Sequence, residues 1–177
     1  MKKRRLQLIA AAVLLALLAV LLFRGVIASP KSPAPPSIWS PTSAQAKLPS
    51  VKLWLGSEEL ICEVARKPIE LATGMMFRTN MATNEAMLFL LPAPQQASFY
   101  MRNTLILLSC AYMDEEGAIL ETHDMKPKDE TPILSATSNI QFVLEVNQGW
   151  FEKKHIGPGA LVRTEKGTLR MLLRAPN

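Results

Sequence analysis

Histidine and cysteine are scarce in this sequence, which contains two of each among 177 residues. With so few ligands of the usual type, we expect no metal site. The eight glycines form no phosphate-binding loop, because Gly157-Pro158-Gly159 is not followed by a helical pattern. No catalytic constellation is apparent, so we expect no cofactor. A binding or structural role is therefore favoured over catalysis.

Acidic residues are absent from residues 1–50, where seven of the 20 basic residues lie. Residues 51–177 therefore contain 13 basic and 15 acidic side chains, a formal charge of about −2. A protein that binds nucleic acid needs a basic surface on its folded part. The overall charge of +5 comes from the N-terminal segment, and we predict no nucleic-acid partner.

Residues 1–28 have the pattern of an export signal. Four basic residues at positions 2–5 precede an apolar run over residues 6–23, interrupted only by Gln7. Basic residues remain on the cytoplasmic side, which predicts that the rest of the chain is exported to the periplasm or the extracellular space. The segment is either a signal peptide cleaved after Ala28 or a retained membrane anchor helix. Arg24 and Pro30 favour the anchor, which would contact the membrane through residues 6–23.

Proline, serine and alanine dominate residues 29–50 and predict a semi-extended linker. The following residues, 51–177, are predicted to form one domain. An exported domain can form disulfides, so the pair Cys62 and Cys110 is a candidate for one. The alternative is that both are buried free thiols, because Cys62 alternates with apolar residues and Cys110 lies in an apolar run.

Short alternating or apolar runs separated by turn residues predict a mainly β domain. The clearest are an opening hairpin over residues 51–64 with its turn at Gly56-Ser57, and a strand over residues 139–147. Pro68 and Glu70 suit the first turn of a helix that ends before Gly74. We predict a small β-sandwich or closed barrel with one short helix, preceded by the N-terminal hydrophobic helix.

Several segments match one known family in order and spacing. They are Glu63-Val64-Ala65, Gly74-Met75-Met76-Phe77-Arg78, Ala86-Met87-Leu88-Phe89, Phe99-Tyr100-Met101-Arg102-Asn103-Thr104, Asp114 with Gly117, Met125 with Pro127, and Leu144-Glu145-Val146-Asn147 with Gly149. On these segments the chain resembles the domain of unknown function 192 family, also called uncharacterised protein family 0127. The resemblance spans about residues 51–165 and implies a compact, mostly β fold, often behind a signal sequence. It implies no established activity.

Two carboxylates that the family commonly has are missing. This chain has Leu107-Leu108-Ser109 where the family usually has Pro-Leu-Asp, and Gly159-Ala160 in place of a late Gly-Asp. If the family performs acid–base or metal chemistry through those groups, this member has lost it. Two further differences, Tyr100 for Trp and Arg102 for Lys, are mild.

The matching segments supply the candidate ligand-binding residues. These are Arg78, Met101, Arg102, Asn103, Thr104, Glu145 and Asn147. Strand alternation places Met101 and Asn103 on the same face of one strand. It likewise places Glu145 and Asn147 on the same face of another strand. If the two strands are close, their polar groups form a pocket for a small ligand. The structural alternative is that Arg78 and Glu145 form a buried ion pair, in which case Glu145→Ala costs several kcal/mol of stability.

Three functions remain open for the domain. The first is a binding or accessory module that takes a small ligand or an envelope protein. The second is an enzyme with a polar pocket around Asn103 and Glu145, and the third is a structural or assembly protein. A pocket containing a carboxyl with a displaced pKa favours an enzyme, whereas a flat apolar patch favours assembly.

Overall fold

Alternation of apolar and polar side chains produces a mainly β domain in the computed structural model, which describes residues 41–174. The strands are β1 (Ser50–Leu55), β2 (Glu58–Ala65), β3 (Glu85–Gln95), β4 (Ser98–Phe99), β5 (Leu108–Met113), β6 (Ile119–Met125), β7 (Ile133–Leu134), β8 (Ile140–Asn147), β9 (Val162–Thr164) and β10 (Gly167–Thr168). The helices are α1 (Pro68–Thr73), α2 (Trp150–Lys153) and α3 (Arg170–Leu173).

Most strands belong to one sheet of eight, in the order β10-β9-β1-β2-β3-β8-β5-β6. Strands β4 and β7 form a separate two-stranded sheet. The opening hairpin is confirmed, since β1 and β2 pair antiparallel on either side of Gly56-Ser57. The strand expected over residues 139–147 is also confirmed as β8.

The predicted closed barrel is wrong, because the large sheet is open. Its outer strands, β10 and β6, are not neighbours in the sheet. The two ends approach each other only near an isolated bridge between Ala118 and Leu161, where Ile119 N also donates to Ala160 O. The small second sheet contains two strands of two residues each, so the fold is a single large sheet with short covering elements.

One pair of neighbouring strands, β2 and β3, is parallel. Parallel strands need a crossover, and the chain between them contains α1. The predicted helix over residues 68–73 is therefore confirmed, and it connects two central strands. Two more helices of four residues each, α2 and α3, add to the single helix that we expected.

Local interactions fix both ends of α1. The Glu70 carboxylate accepts hydrogen bonds from the backbone N–H groups of Arg66 and Lys67, each at 3.0 Å. These bonds satisfy donors at the helix start that have no partner within the helix. At the other end, Gly74 N donates to Glu70 O at 2.9 Å. Gly74 has φ +47°, a conformation that residues with a Cβ rarely adopt.

Alternate side chains of the central strands enter two different core clusters. Leu88 of β3 and Leu144 of β8 belong to the first core cluster, whereas Phe89 and Val143 belong to the second. Every residue of β8 except Asn147 is buried. The sheet is therefore covered on both faces along most of β8, and the polar residues Gln141 and Glu145 of this strand are buried.

The prediction of a disulfide between Cys62 and Cys110 of the same chain is wrong. Both cysteines are buried and free, Cys62 in the first core cluster and Cys110 in the second. Their strands, β2 and β5, are separated in the sheet by β3 and β8. Three strand spacings amount to about 14 Å, beyond the reach of a disulfide.

Contacts with the domain begin within the predicted linker. Gln45 Nε2 donates to Gly74 O at 2.9 Å, and Leu48 N donates to Glu63 Oε2 at 2.8 Å. The hydrophobic segment over residues 6–23 and the rest of residues 1–40 lie outside the described residues. Within residues 41–174, no helix has the length and apolarity needed to cross a membrane.

We predict that Gly74→Ala destabilises the protein more than Gly56→Ala does. Both glycines have positive φ, so each substitution costs roughly 1 kcal/mol of backbone strain. An added Cβ at Gly74 would also lie 3.1 Å from the Phe89 ring, whereas none of the described atoms lies within 4 Å of it at Gly56. Crowding of this kind adds about 1–3 kcal/mol. Chemical denaturation of both variants measures the difference, and equal losses would contradict the close packing of Gly74 on Phe89.

Candidate functional site

A cavity of about 350 Å³ lies beside α1 over the face of the sheet that contains the second core cluster. Its walls come from α1 and the residues after it, from β3, from β4 and the turn that follows, and from β8. The lining residues are Pro68, Leu71, Ala72, Thr73, Gly74, Met75, Met76, Phe89, Leu91, Ser98, Phe99, Tyr100, Thr104 and Glu145. Two of them, Thr104 and Glu145, are among the residues that the sequence predicts.

Glu145 contributes a buried acid to this cavity. It lies in β8 with Met87 of β3 opposite on one side and Cys110 of β5 on the other. Glu145 is 4% exposed, and its Oε2 atom has no hydrogen-bond partner. A buried polar atom without a partner is costly in a folded protein and requires an explanation.

Burial raises the pKa of the Glu145 carboxyl from its ordinary value of 4.5 to about 8. Desolvation disfavours the charged form because no bulk water stabilises it. The nearby Cys110 thiol and Tyr112 phenol are also buried, and burial raises the pKa of each well above its ordinary value. At neutral pH all three groups are therefore mainly uncharged, and the Glu145 carboxyl can donate as well as accept a hydrogen bond.

Arg78 pairs with Glu63, so the proposed ion pair between Arg78 and Glu145 is wrong. The Arg78 guanidinium makes two hydrogen bonds to Glu63, at 3.0 and 2.9 Å, and both side chains are 12% exposed. Glu63 lies in β2, two strands away from Glu145 in the sheet. Glu145 is not half of a buried ion pair. The loss of stability that we expected from Glu145→Ala depended on that pair, so it is no longer expected.

The strand that we expected to include Met101 and Asn103 ends early, at Phe99, and residues 101–104 form a turn. Thr104 N donates to Met101 O at 3.0 Å, and Asn103 has φ +54°. Met101 is buried in the second core cluster, whereas the Asn103 carbonyl accepts a hydrogen bond from Phe77 N. The prediction that Met101 and Asn103 share a strand face is therefore wrong. Asn103 does not line the cavity, but Thr104 does.

The other two candidates, Arg102 and Asn147, make contacts outside the cavity. Arg102 forms an exposed ion pair with Glu130 at 2.8 Å, and its guanidinium lies 5.2 Å from the centre of the Tyr100 ring. Asn147 Nδ2 donates to the carbonyls of Met81 and Ala82, at 3.3 and 2.9 Å. Glu145 and Asn147 do lie on the same face of β8, but Glu145 lines the cavity, whereas Asn147 binds backbone carbonyls.

Sequence reasoning missed the apolar walls of the site, especially Leu71, Met75 and Phe89. No motif distinguishes these residues from ordinary core residues, because their role depends on where α1 packs. A metal site is also absent from the described residues, in which no group of three or more His, Cys, Asp or Glu side chains converges. The His123 ring contacts the Glu121 carboxylate, with 2.9 Å between Nε2 and Oε2.

A single large β-sheet whose central strand presents a buried acid to an apolar cavity defines a small β domain with a candidate ligand pocket. The family model described as an uncharacterised ACR, the domain of unknown function 192 family, matches residues 52–164. The chain belongs to this family, which confirms the resemblance found in the sequence. No curated protein matches the chain.

Two solved structures share the fold. A protein of unknown function from Novosphingobium aromaticivorans DSM 12444 is 32% identical, with a TM-score of 0.64, and the match covers 70% of this chain and 92% of that one. A protein from Sinorhizobium meliloti 1021, described as a candidate transcription regulator, is 26% identical, with a TM-score of 0.63. That match covers 68% of this chain and 98% of the Sinorhizobium protein.

Glu145→Gln is predicted to stabilise the protein at neutral and alkaline pH. Because the pKa of Glu145 is raised to about 8, the native state keeps a proton that the unfolded state releases near pH 4.5. The stability of the wild type must therefore fall as pH rises from about 4.5 to about 8. Glutamine does not titrate, so the variant gains up to about 4 kcal/mol at pH 7.5 and little at pH 4.

Denaturation of both proteins at a series of pH values measures this effect. Glu59→Gln is the matched control, because Glu59 is exposed and pairs with Lys52 on the surface. Parallel stability curves for the wild type and Glu145→Gln across this pH range would show that the carboxyl is not desolvated.

Proposed function

We propose that the domain is a binding module for a small, largely apolar ligand and that the cavity beside Glu145 is its site. The observation that supports this most directly is the Glu145 side chain, which lines the cavity and whose buried Oε2 atom lacks a hydrogen-bond partner. A ligand that donates a hydrogen bond to this atom would remove the cost of leaving it unpaired.

The composition of the walls supports the same proposal. Ligand sites are usually concave, mainly apolar and supplied with a few polar groups that orient the ligand. Here the apolar side chains include Leu71, Met75 and Phe89, and the buried polar ones include Thr104 and Glu145. The cavity volume lies at the lower end of the range of roughly 300–1,000 Å³ that is typical of such sites.

We also propose that the domain acts on the outer side of the cytoplasmic membrane. The support comes from residues 1–28, in which basic residues precede an apolar run of the length of a signal peptide or anchor. An envelope protein is the alternative partner to a small ligand. The cavity supports the small ligand, because it can enclose a molecule of that size and has a buried group to orient it.

Catalysis is the second candidate function, and the raised pKa of Glu145 supports it. A carboxyl that keeps its proton near neutral pH can act as a general acid. Among the lining residues, however, Tyr100 is the only other side chain that titrates, and Asn103 lies outside the cavity. A reaction needs a second group to activate a nucleophile or to stabilise charge. The groups that line the cavity are therefore enough to bind a ligand, whereas catalysis would need a further group.

Transcription regulation, the description attached to the Sinorhizobium protein, receives no support from the charge of this domain. The balance of about −2 over residues 51–177 disfavours contact with DNA phosphates.

A thermal-shift screen of the full-length chain against a library of small compounds tests the proposal. Ser98 is exposed at the cavity, so Ser98→Trp should fill its opening. A true ligand present at 100 times its Kd stabilises the wild type by about 2.7 kcal/mol. We expect this stabilisation to disappear in Ser98→Trp.

Ser57→Trp is the control, because it places the same side chain in the exposed turn between β1 and β2. A compound that stabilises wild type and Ser57→Trp but not Ser98→Trp supports the site. If no compound stabilises the wild type at millimolar concentration, or if Ser98→Trp binds equally well, the proposal fails.

A further inference from the structure

We propose that the ligand is a primary amine on an apolar body and that its protonated nitrogen donates a hydrogen bond to Glu145. This inference rests on the proposed function and specifies the chemical class of the ligand. It follows from the charge of the cavity, from its aromatic walls and from the groups that surround the acid.

The cavity contains an acid and no base. None of its lining residues is Lys, Arg or His, and its titratable side chains are Glu145 and Tyr100 alone. An anionic ligand would find no positive side chain in the walls and would lie against a carboxyl. An ammonium group has three N–H donors and a charge opposite to that of a carboxylate. Its entry therefore satisfies the unpaired oxygen and compensates the charge that burial disfavours.

Aromatic rings in the walls of the cavity suit the same cation. Phe89, Phe99 and Tyr100 all line the cavity, and the first two meet edge to face with their ring centres 5.0 Å apart. Ring faces carry negative potential and attract ammonium groups. The Arg102 guanidinium already lies 5.2 Å from the centre of the Tyr100 ring. Arg102 also forms an ion pair with Glu130.

The neighbours of Glu145 allow it to ionise when a cation arrives. Cys110 faces it from β5, and Met87 faces it from β3. Tyr112, further along β5, and the Cys110 thiol are uncharged at neutral pH, because burial raises the pKa of both. Beyond Cys110 lies His123 of β6, which contacts Glu121. The Arg78 guanidinium is engaged by Glu63, so it does not compete with a ligand for Glu145.

Proton coupling is the consequence that can be measured. Below its pKa of about 8, Glu145 must lose its proton before it can pair with an ammonium group. The affinity for an amine should therefore rise about tenfold per pH unit between pH 6 and pH 7.5 and become constant above pH 8.5. A neutral ligand of the same shape should bind without this dependence.

Three probes with one ring and different charges test the inference: cyclohexylmethylamine, cyclohexylmethanol and cyclohexanecarboxylate. Isothermal titration of the full-length chain at pH 8.5 should show the amine binding at least tenfold more tightly than the alcohol. The carboxylate should bind at least tenfold more weakly than the alcohol. At pH 6.5, titration of the amine in two buffers with different ionisation enthalpies should show release of a proton.

Glu145→Gln should weaken amine binding at least tenfold and remove its pH dependence. This variant is expected to fold, since it removes an acid that burial disfavours, and Glu59→Gln should bind as the wild type does. If the alcohol or the carboxylate binds as tightly as the amine and Ser98→Trp abolishes that binding, the inference fails while the proposed function stands. If no probe binds, the inference fails, and if a probe binds but Ser98→Trp has no effect on its binding, both fail.

Discussion

Coverage of strand β8 on both of its faces is the constraint on which the rest of the structure depends. The strand lies between β3 and β5 in the interior of the sheet, and its alternate side chains enter two separate core clusters. A carboxyl placed there is almost completely removed from bulk water, since Glu145 is buried although it lines the cavity. The burial of Glu145, the rise in its pKa and the lack of a partner for one of its oxygens all follow from this position.

Local sequence patterns predict the elements but not their partners. The alternation over residues 139–147 gives β8 and the shared face of Glu145 and Asn147, and Pro68 with Glu70 gives α1. Strand order depends on pairings between distant segments, which no short window contains, so the open sheet was predicted as a small sandwich or closed barrel. Weak alternation over residues 97–103 concealed the turn, because a left-handed residue at Asn103 resembles any other polar position in a sequence.

The candidate site was predicted only in part, for a similar reason. Sequence reasoning selected polar residues in matching segments, and two of the seven, Thr104 and Glu145, do line the cavity. The others stabilise the surrounding chain: Arg78 pairs with Glu63, and Asn147 binds the carbonyls that precede β3. A polar residue that satisfies the backbone and one that lines a cavity are alike in sequence, since the difference depends on which segments pack against them.

Pairing between β1 and β9 has a consequence for how the chain is made. Leu53 lies opposite Thr164, so the first strand of the sheet obtains one of its two neighbours from a segment more than 100 residues later. Until that segment leaves the ribosome, the outer edge of β1 presents unpaired backbone groups, and such edges attract other chains. Contacts this distant also slow folding. The edge of β1 is therefore protected only after the C-terminal segment has joined the sheet.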